Sequence, residues 1–258
     1  MPNFEQILGV RFFNGTASEA VAHVNSIRGY VVAPAAPALA NIERDAGYLH
    51  ALSNADVAIA DSGFMVLLWR ILRGRKLSRI SGLSYLQTLL ENSALREPGR
   101  TFFILPSSEA REKAVPWLCS QGFEISEREC YVAPIYGGDV ADEKLAILLS
   151  RSRPEHIIVG LGGGTQEKLG RYLRDNLPYR PAIHCIGAAV GFLTGEQKPI
   201  PMWADRLYFG WLLRLIRAPQ RYALRFSRAF ALPGMILRYG SEIPEIRDRR
   251  SEVREQKE

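Results

Sequence analysis

The stretch His156 to Leu169, HIIVGLGGGTQEKL, constrains the fold of this 258-residue chain more than any other. An apolar run of strand length ends in three consecutive glycines, Gly162, Gly163 and Gly164, and Thr-Gln-Glu-Lys then opens a helix. Without a Cβ in the way, backbone N–H groups in such a loop can approach an anion, and the helix N-terminus adds partial positive charge. Thr165 is the expected N-cap, with Glu167 in a first turn that favours acids. The same loop also serves as a plain tight turn between strand and helix, so the rest of the chain must decide between the two readings.

Further strands are expected at 29–33, 56–60, 101–105, 156–161 and 182–186. Helices are expected at 38–52, 64–73, 82–92, 109–121 and 166–176. Strands alternating with helices predict an α/β fold, a Rossmann-like, mostly parallel sheet with helices on both faces, and 47% hydrophobic content suffices for its core. Ligands of such sheets gather at the carboxyl ends of strands. Asp61 follows one predicted strand there, and Gly162 to Gly164 follow another. The proline-containing KPIPMW from Lys198 marks a boundary. We therefore expect a globular domain over 1–197, a basic helical appendage over 198–240 and a charged, disordered tail over 241–258.

Several function classes find no support. Three cysteines, Cys119, Cys130 and Cys185, lack metal-type spacing, and their odd number argues for a reducing compartment. The four histidines, His23, His50, His156 and His184, are scattered, and no Gly-x-Ser-x-Gly occurs. The start, MPNFEQILGVRFFNG, has no signal-peptide pattern, and no window offers the ~20 apolar residues of a spanning helix. A cytoplasmic protein, or one peripheral on the inner face of the membrane, is expected.

The net charge of +6 is concentrated late in the chain. Arg214, Arg217, Arg221, Arg225 and Arg228 would fall within a sector of roughly 80° on a helix continuous past Pro219. Around them stand Trp203, Tyr208, Phe209, Trp211 and Leu212. A basic face interleaved with large apolar side chains suits an anionic membrane surface better than nucleic acid. An amphipathic helix packed on the domain, or an apolar surface meeting a second subunit in a homo-oligomer, fits the same pattern. The guanidinium forks of Arg214, Arg221 and Arg225 also match diphosphate oxygens.

Five motifs occur in order: IADSGFMVLLWR, RKLSRISGL, IVGLGGGTQEK, IGAAVGFLTGE and YFGWLLRLIRAPQRY. Together, over roughly residues 10 to 230, they resemble the WecG/TagA/CpsF family of bacterial glycosyltransferases. The resemblance implies a metal-independent, cofactor-free enzyme that takes a nucleotide-diphosphate sugar and inverts at the anomeric carbon. Its acceptor would be a polyprenyl-diphosphate-linked saccharide in surface or exopolysaccharide assembly, and UDP is the family's usual nucleotide. It implies that Asp61 is the general base and that Gly162, Gly163, Gly164, Gln166 and Glu167 hold the donor. Arg79, Ser81 and Gly82 would meet diphosphate or sugar, and C-terminal arginines would complete the site at the membrane.

The chain departs from the family pattern at three points. Ala33-Pro34-Ala35 replaces Thr-x-Asn, the region of Val190-Gly191 lacks an acid, and Pro199-Ile200-Pro201 replaces Arg-Ala-Pro. These changes bear on the donor sugar. A non-catalytic scaffold of the same fold is the alternative they leave open. A nicotinamide-dependent oxidoreductase is disfavoured by the spacing of the glycine loop and by its late position.

Overall fold

The computed structural model describes residues 2–138, 140–195 and 227–246. Strands β1 (Phe4–Ile7) and β2 (Val10–Phe13) form an antiparallel hairpin. Its turn, Leu8-Gly9, has positive φ at both residues, 51° and 76°, the geometry that matches the twist of a two-residue hairpin. Leucine tolerates this position because its side chain is fully buried. Next come α1 (Ala17–Ile27), β3 (Tyr30–Val32), α2 (Ala36–Leu39), α3 (Ala46–Ser53), β4 (Val57–Ala58), α4 (Gly63–Arg73) and α5 (Gly82–Leu90). They are followed by β5 (Thr101–Leu105), α6 (Ser108–Ser120), β6 (Cys130–Val132), α7 (Glu143–Ser152), β7 (His156–Val159), α8 (Thr165–Asn176), β8 (Ala182–Cys185), α9 (Ala189–Leu193) and α10 (Leu232–Tyr239).

The eight strands lie in the order β1-β2-β4-β3-β8-β7-β5-β6, and every described pairing except β1–β2 is parallel. Alternation along each strand divides the core in two. Tyr30 and Val32, Phe102 and Ile104, and Ile157 and Val159 face α3, α4, α8 and α10. Val31, Phe103 and Ile158 face α1, α5, α6 and α9. With both faces covered, the central strands are apolar at nearly every position, as β5 is throughout. This is the expected α/β architecture.

The details differ where local chemistry interrupts a periodic run. The helix expected over 38–52 is divided into α2, a 3₁₀ turn at Ile42–Arg44, and α3. Asp45 causes the last break, since its side chain accepts from the Tyr48 N–H and starts a new helix. The strand expected over 56–60 pairs only at Val57–Ala58. The helix after the glycines is capped by Gly164 rather than Thr165, because the Glu167 carboxylate reaches back to the Gly164 N–H at 2.6 Å.

Residues 227–246, assigned from sequence to the appendage and the start of the tail, lie against the domain. Leu232 and Ile236 are fully buried, and Arg73 donates to the Ile236 and Leu237 carbonyls at 2.6 and 3.0 Å. The Leu8 and Gly9 N–H groups donate to the carbonyls of Gly240 and Ser241. Arg214, Arg217, Arg221 and Arg225, with Lys198 to Pro201, lie outside the described residues, as does most of the predicted membrane-associating appendage.

Candidate active site

In-register pairing brings Ala58 of β4 level with Val32 of β3, Cys185 of β8 and Val159 of β7. The loops that follow these four strands therefore meet at one edge of the sheet. Two of them carry the residues singled out from sequence.

On the β4 side, Ser62 caps α4 and Ser81 caps α5, each hydroxyl accepting a backbone N–H of its own helix. Asp61 stands just before the first cap. Its Oδ1 accepts from the Gly82 N–H, the first helical residue of α5, at 2.9 Å, so the carboxylate sits at a positive helix end. Arg79 Nε donates to the Asp61 carbonyl at 3.0 Å and latches the loop from behind. No described residue hydrogen-bonds Oδ2. Asp61, Arg79, Ser81 and Gly82 are thus brought together as one unit, with the Ser81 hydroxyl committed to its cap and to Ser84.

On the β7 side, space around the glycine loop is open. A Cβ on Gly162 or Gly164 would meet nothing within 4 Å, and one on Gly163 would reach only Ala38, at 3.9 Å. Gly164 has φ +94°, a conformation that side-chain-bearing residues rarely adopt. Gln166 and Glu167 are 1% and 0% exposed, so they do not form a solvated first turn. Gln166 Oε1 accepts from the Gly187 N–H at 2.6 Å while its Nε2 donates to Glu167 Oε1 at 3.0 Å. Burial pushes the Glu167 carboxyl up to about 7, against the opposing pull of its bonds from Gln166 and Gly164. These two side chains brace the loop from inside.

The two halves meet through the turn after β8. A Cβ at Gly82 would lie 2.9 Å from the Ile186 carbonyl oxygen, a contact only glycine permits, and the next residue, Gly187, is the one held by Gln166. A continuous train of contacts runs Asp61–Gly82–Ile186–Gly187–Gln166–Glu167–Gly164. Sequence reading found both ends of this train. It missed Gly187 and the bracing role of Gln166, which join residues 21 positions apart. Ala33-Pro34-Ala35 follows β3, the strand that lies between β4 and β8.

The histidines are not all isolated. The His184 and His156 rings stack at 5.4 Å, with His184 Nε2 3.1 Å from His156 Nδ1 and the Tyr85 hydroxyl 3.0 Å from His184 Nδ1. The buried Tyr85 hydroxyl must donate, which puts the His184 proton on Nε2 and the His156 proton on Nε2 as well. Burial lowers His156 to about 4 and His184 well below its usual value, so both stay neutral. His156 also lines a cleft of about 200 Å³ with Asn25, Arg28, Arg100 and Glu155 at the amino edge of the sheet.

Comparison with known proteins supports a transferase. The profile described as "Glycosyl transferase WecG/TagA/CpsF family" matches residues 5–246. The chain is similar to a Bacillus subtilis (strain 168) protein named N-acetylglucosaminyldiphosphoundecaprenol N-acetyl-beta-D-mannosaminyltransferase. The two are 28% identical over 185 residues, covering 71% of this chain and 70% of that protein.

Proposed function

The chain belongs to the WecG/TagA/CpsF family and is a glycosyltransferase, and we propose that it moves a hexose-type sugar from a nucleotide-diphosphate donor, a UDP-sugar, to a polyprenyl-diphosphate-linked saccharide with inversion. The relative's name supports the acceptor class and suggests N-acetylmannosamine as the first donor sugar to test. The observation that carries the reading is the Asp61 carboxylate, held by α5 at the edge where the open glycine loop also ends.

In this reading the diphosphate lies on the N–H groups of Gly162 and Gly163 and the N-terminus of α8, which meet its charge, while the Gly164 N–H stays on the Glu167 carboxylate and fixes the loop. Arg214, Arg221 and Arg225 supply further forks, and Arg79 keeps the Asp61 loop in place. Asp61 Oδ2 takes the proton from the acceptor hydroxyl as its oxygen bonds to the anomeric carbon. The bond from that carbon to the donor phosphate breaks on the opposite face, and the nucleoside diphosphate leaves with the electron pair. Gln166 and Glu167 serve the donor through the loop they brace. The chain acts at the cytoplasmic face of an anionic membrane, with 198–240 as its basic appendage.

The test is transfer from a panel of radiolabelled UDP-sugars to polyprenyl-diphosphate-linked N-acetylglucosamine, with wild type beside Asp61→Asn. Transfer that collapses in the variant supports the assignment. Persistent transfer moves the base elsewhere, and donor binding without transfer in wild type favours the scaffold.

A further inference from the structure

Helix α4 begins at Gly63, two residues after Asp61, and does not bury its whole apolar surface. Met65, Val66 and Trp69 face the core, while Leu67 is 48% and Ile71 67% exposed. At about 100° per residue, Arg70, Leu67 and Ile71 fall within a sector of about 100°. Where α4 ends, Arg73 fastens it to α10 through the Ile236 and Leu237 carbonyls, and Leu237 is 58% exposed there. One face thus carries aliphatic side chains from two helices, beginning little more than a turn from the proposed base. Neither α4 nor α10 contains an acid, whereas Arg70 and Arg238 lie on them and Lys76 follows α4. The next acids along the chain, Glu242 and Glu245, come after Gly240, where the backbone turns back to bond the Leu8-Gly9 hairpin.

Exposed aliphatics among cations that form no ion pair with a described residue have one natural complement, the boundary between anionic headgroups and acyl chains. No described helix is long and apolar enough to cross a membrane, so the face would lie on the bilayer. We propose that the α4–α10 face, with Leu67, Ile71 and Leu237 as its apolar contacts and Arg70, Lys76 and Arg238 as its cations, docks on an anionic bilayer. This rests on the reading of a lipid-linked acceptor and deepens it. Docked along α4, the protein holds Asp61 at the rim of the contact, where the first sugars beyond a membrane-borne diphosphate arrive.

The experiment is co-sedimentation of the full chain with phosphatidylglycerol/phosphatidylcholine vesicles and with phosphatidylcholine alone. It compares wild type, Leu67→Ser/Ile71→Ser and Arg70→Gln/Lys76→Gln, with transfer to a short-chain, water-soluble acceptor measured in parallel. Wild type should bind the anionic vesicles. The apolar pair of substitutions should weaken binding by about tenfold, while soluble-acceptor transfer stays at the wild-type level. The charge pair should weaken it further at low salt than at high salt. Vesicle binding by Leu67→Ser/Ile71→Ser equal to wild type overturns the proposal, as does a wild type that transfers sugar but binds no vesicle. A wild type that binds through this face yet transfers no sugar upholds the docking surface and sinks the reaction instead.

Discussion

The carboxyl edge of the sheet and the histidine row within it use similar polar ingredients to opposite ends. At the carboxyl edge, Asp61 and the glycine loop are held by backbone N–H groups, with open space left around Gly162 and Gly164. Within the sheet, His184 lies level with Ile158, one residue short of that edge, and is locked to Tyr85 and to His156 at the amino end of β7, and burial depresses both histidines. A search guided by perturbed ionisation alone would choose the histidines and the buried Glu167 alike. Parallel topology chooses the carboxyl edge, because strand ends and helix N-termini point there together, and a perturbed pKa can report burial without reporting chemistry.

The largest expected effect tests this choice directly. Asp61→Asn keeps the acceptor for the Gly82 N–H but cannot take a proton, so kcat should fall by about 10²-fold or more while nucleoside-diphosphate affinity changes little. Steady-state kinetics and calorimetric UDP binding would check both halves. Equal loss in binding and turnover would make Asp61 a structural residue, as the histidines are.

Glu167 sharpens the contrast through pH. Its carboxyl is raised from 4.5 to about 7, so the folded state binds the extra proton and stability falls as pH rises through that interval, by a few kcal/mol at about 1.4 kcal/mol per unit. The histidines work the other way. Their depressed folded pKa values make stability rise with pH up to about 6.5. In Glu167→Gln the falling contribution disappears, leaving a rise to about 6.5 and a plateau above it. The new NH2 group must also face either Gln166 Nε2 or the Gly164 N–H, donor against donor, which lowers stability at every pH. Urea midpoints from pH 5 to 8 would separate the offset from the slope, and an unchanged slope would remove Glu167 from the account.

Gly82→Ala tests whether the halves of the carboxyl edge are coupled. Its Cβ would press on a backbone oxygen at 2.9 Å, so α5 must shift relative to Gly187. We expect a loss of about 1–3 kcal/mol in stability, and about tenfold in kcat because the general base moves with α5. A stability loss with unchanged kcat would uncouple Asp61 from the glycine loop.

Much of this edge was legible in the sequence because its signals are local: a strand, three glycines and a helix start at one end, and Asp-Ser-Gly after a short strand at the other. The ends of β5 were read without error. The hairpin β1–β2 was missed since its turn is Leu-Gly, where a buried leucine takes a conformation usually signalled by Asn or Asp. Helix α1 carried a readable cue, the capping box of Thr16 and Glu19. The Gln166–Gly187 clamp and the His156–His184–Tyr85 row were illegible for a different reason. Their partners are 21, 28 and 99 residues apart, and only the strand order brings them together.

The smallest effect on function should come from the histidine row. Tyr85→Phe removes the hydroxyl that donates to His184 Nδ1 and leaves a fully buried acceptor without a partner. The cost is about 1–3 kcal/mol of stability, similar to that of Gly82→Ala, but the hydroxyl bonds His184 and none of the proposed reacting groups. Thermal melts should show the loss, while kcat, measured well below the melting temperature, stays within about twofold of wild type, since no reacting group has moved. The two substitutions sit three residues apart on α5, so their difference isolates whether the chemistry depends on the contact at its first residue or on the packing of its buried face. A large fall in kcat for Tyr85→Phe would mean that the histidine row positions Asp61 through α5, and the row and the carboxyl edge would then act as one device.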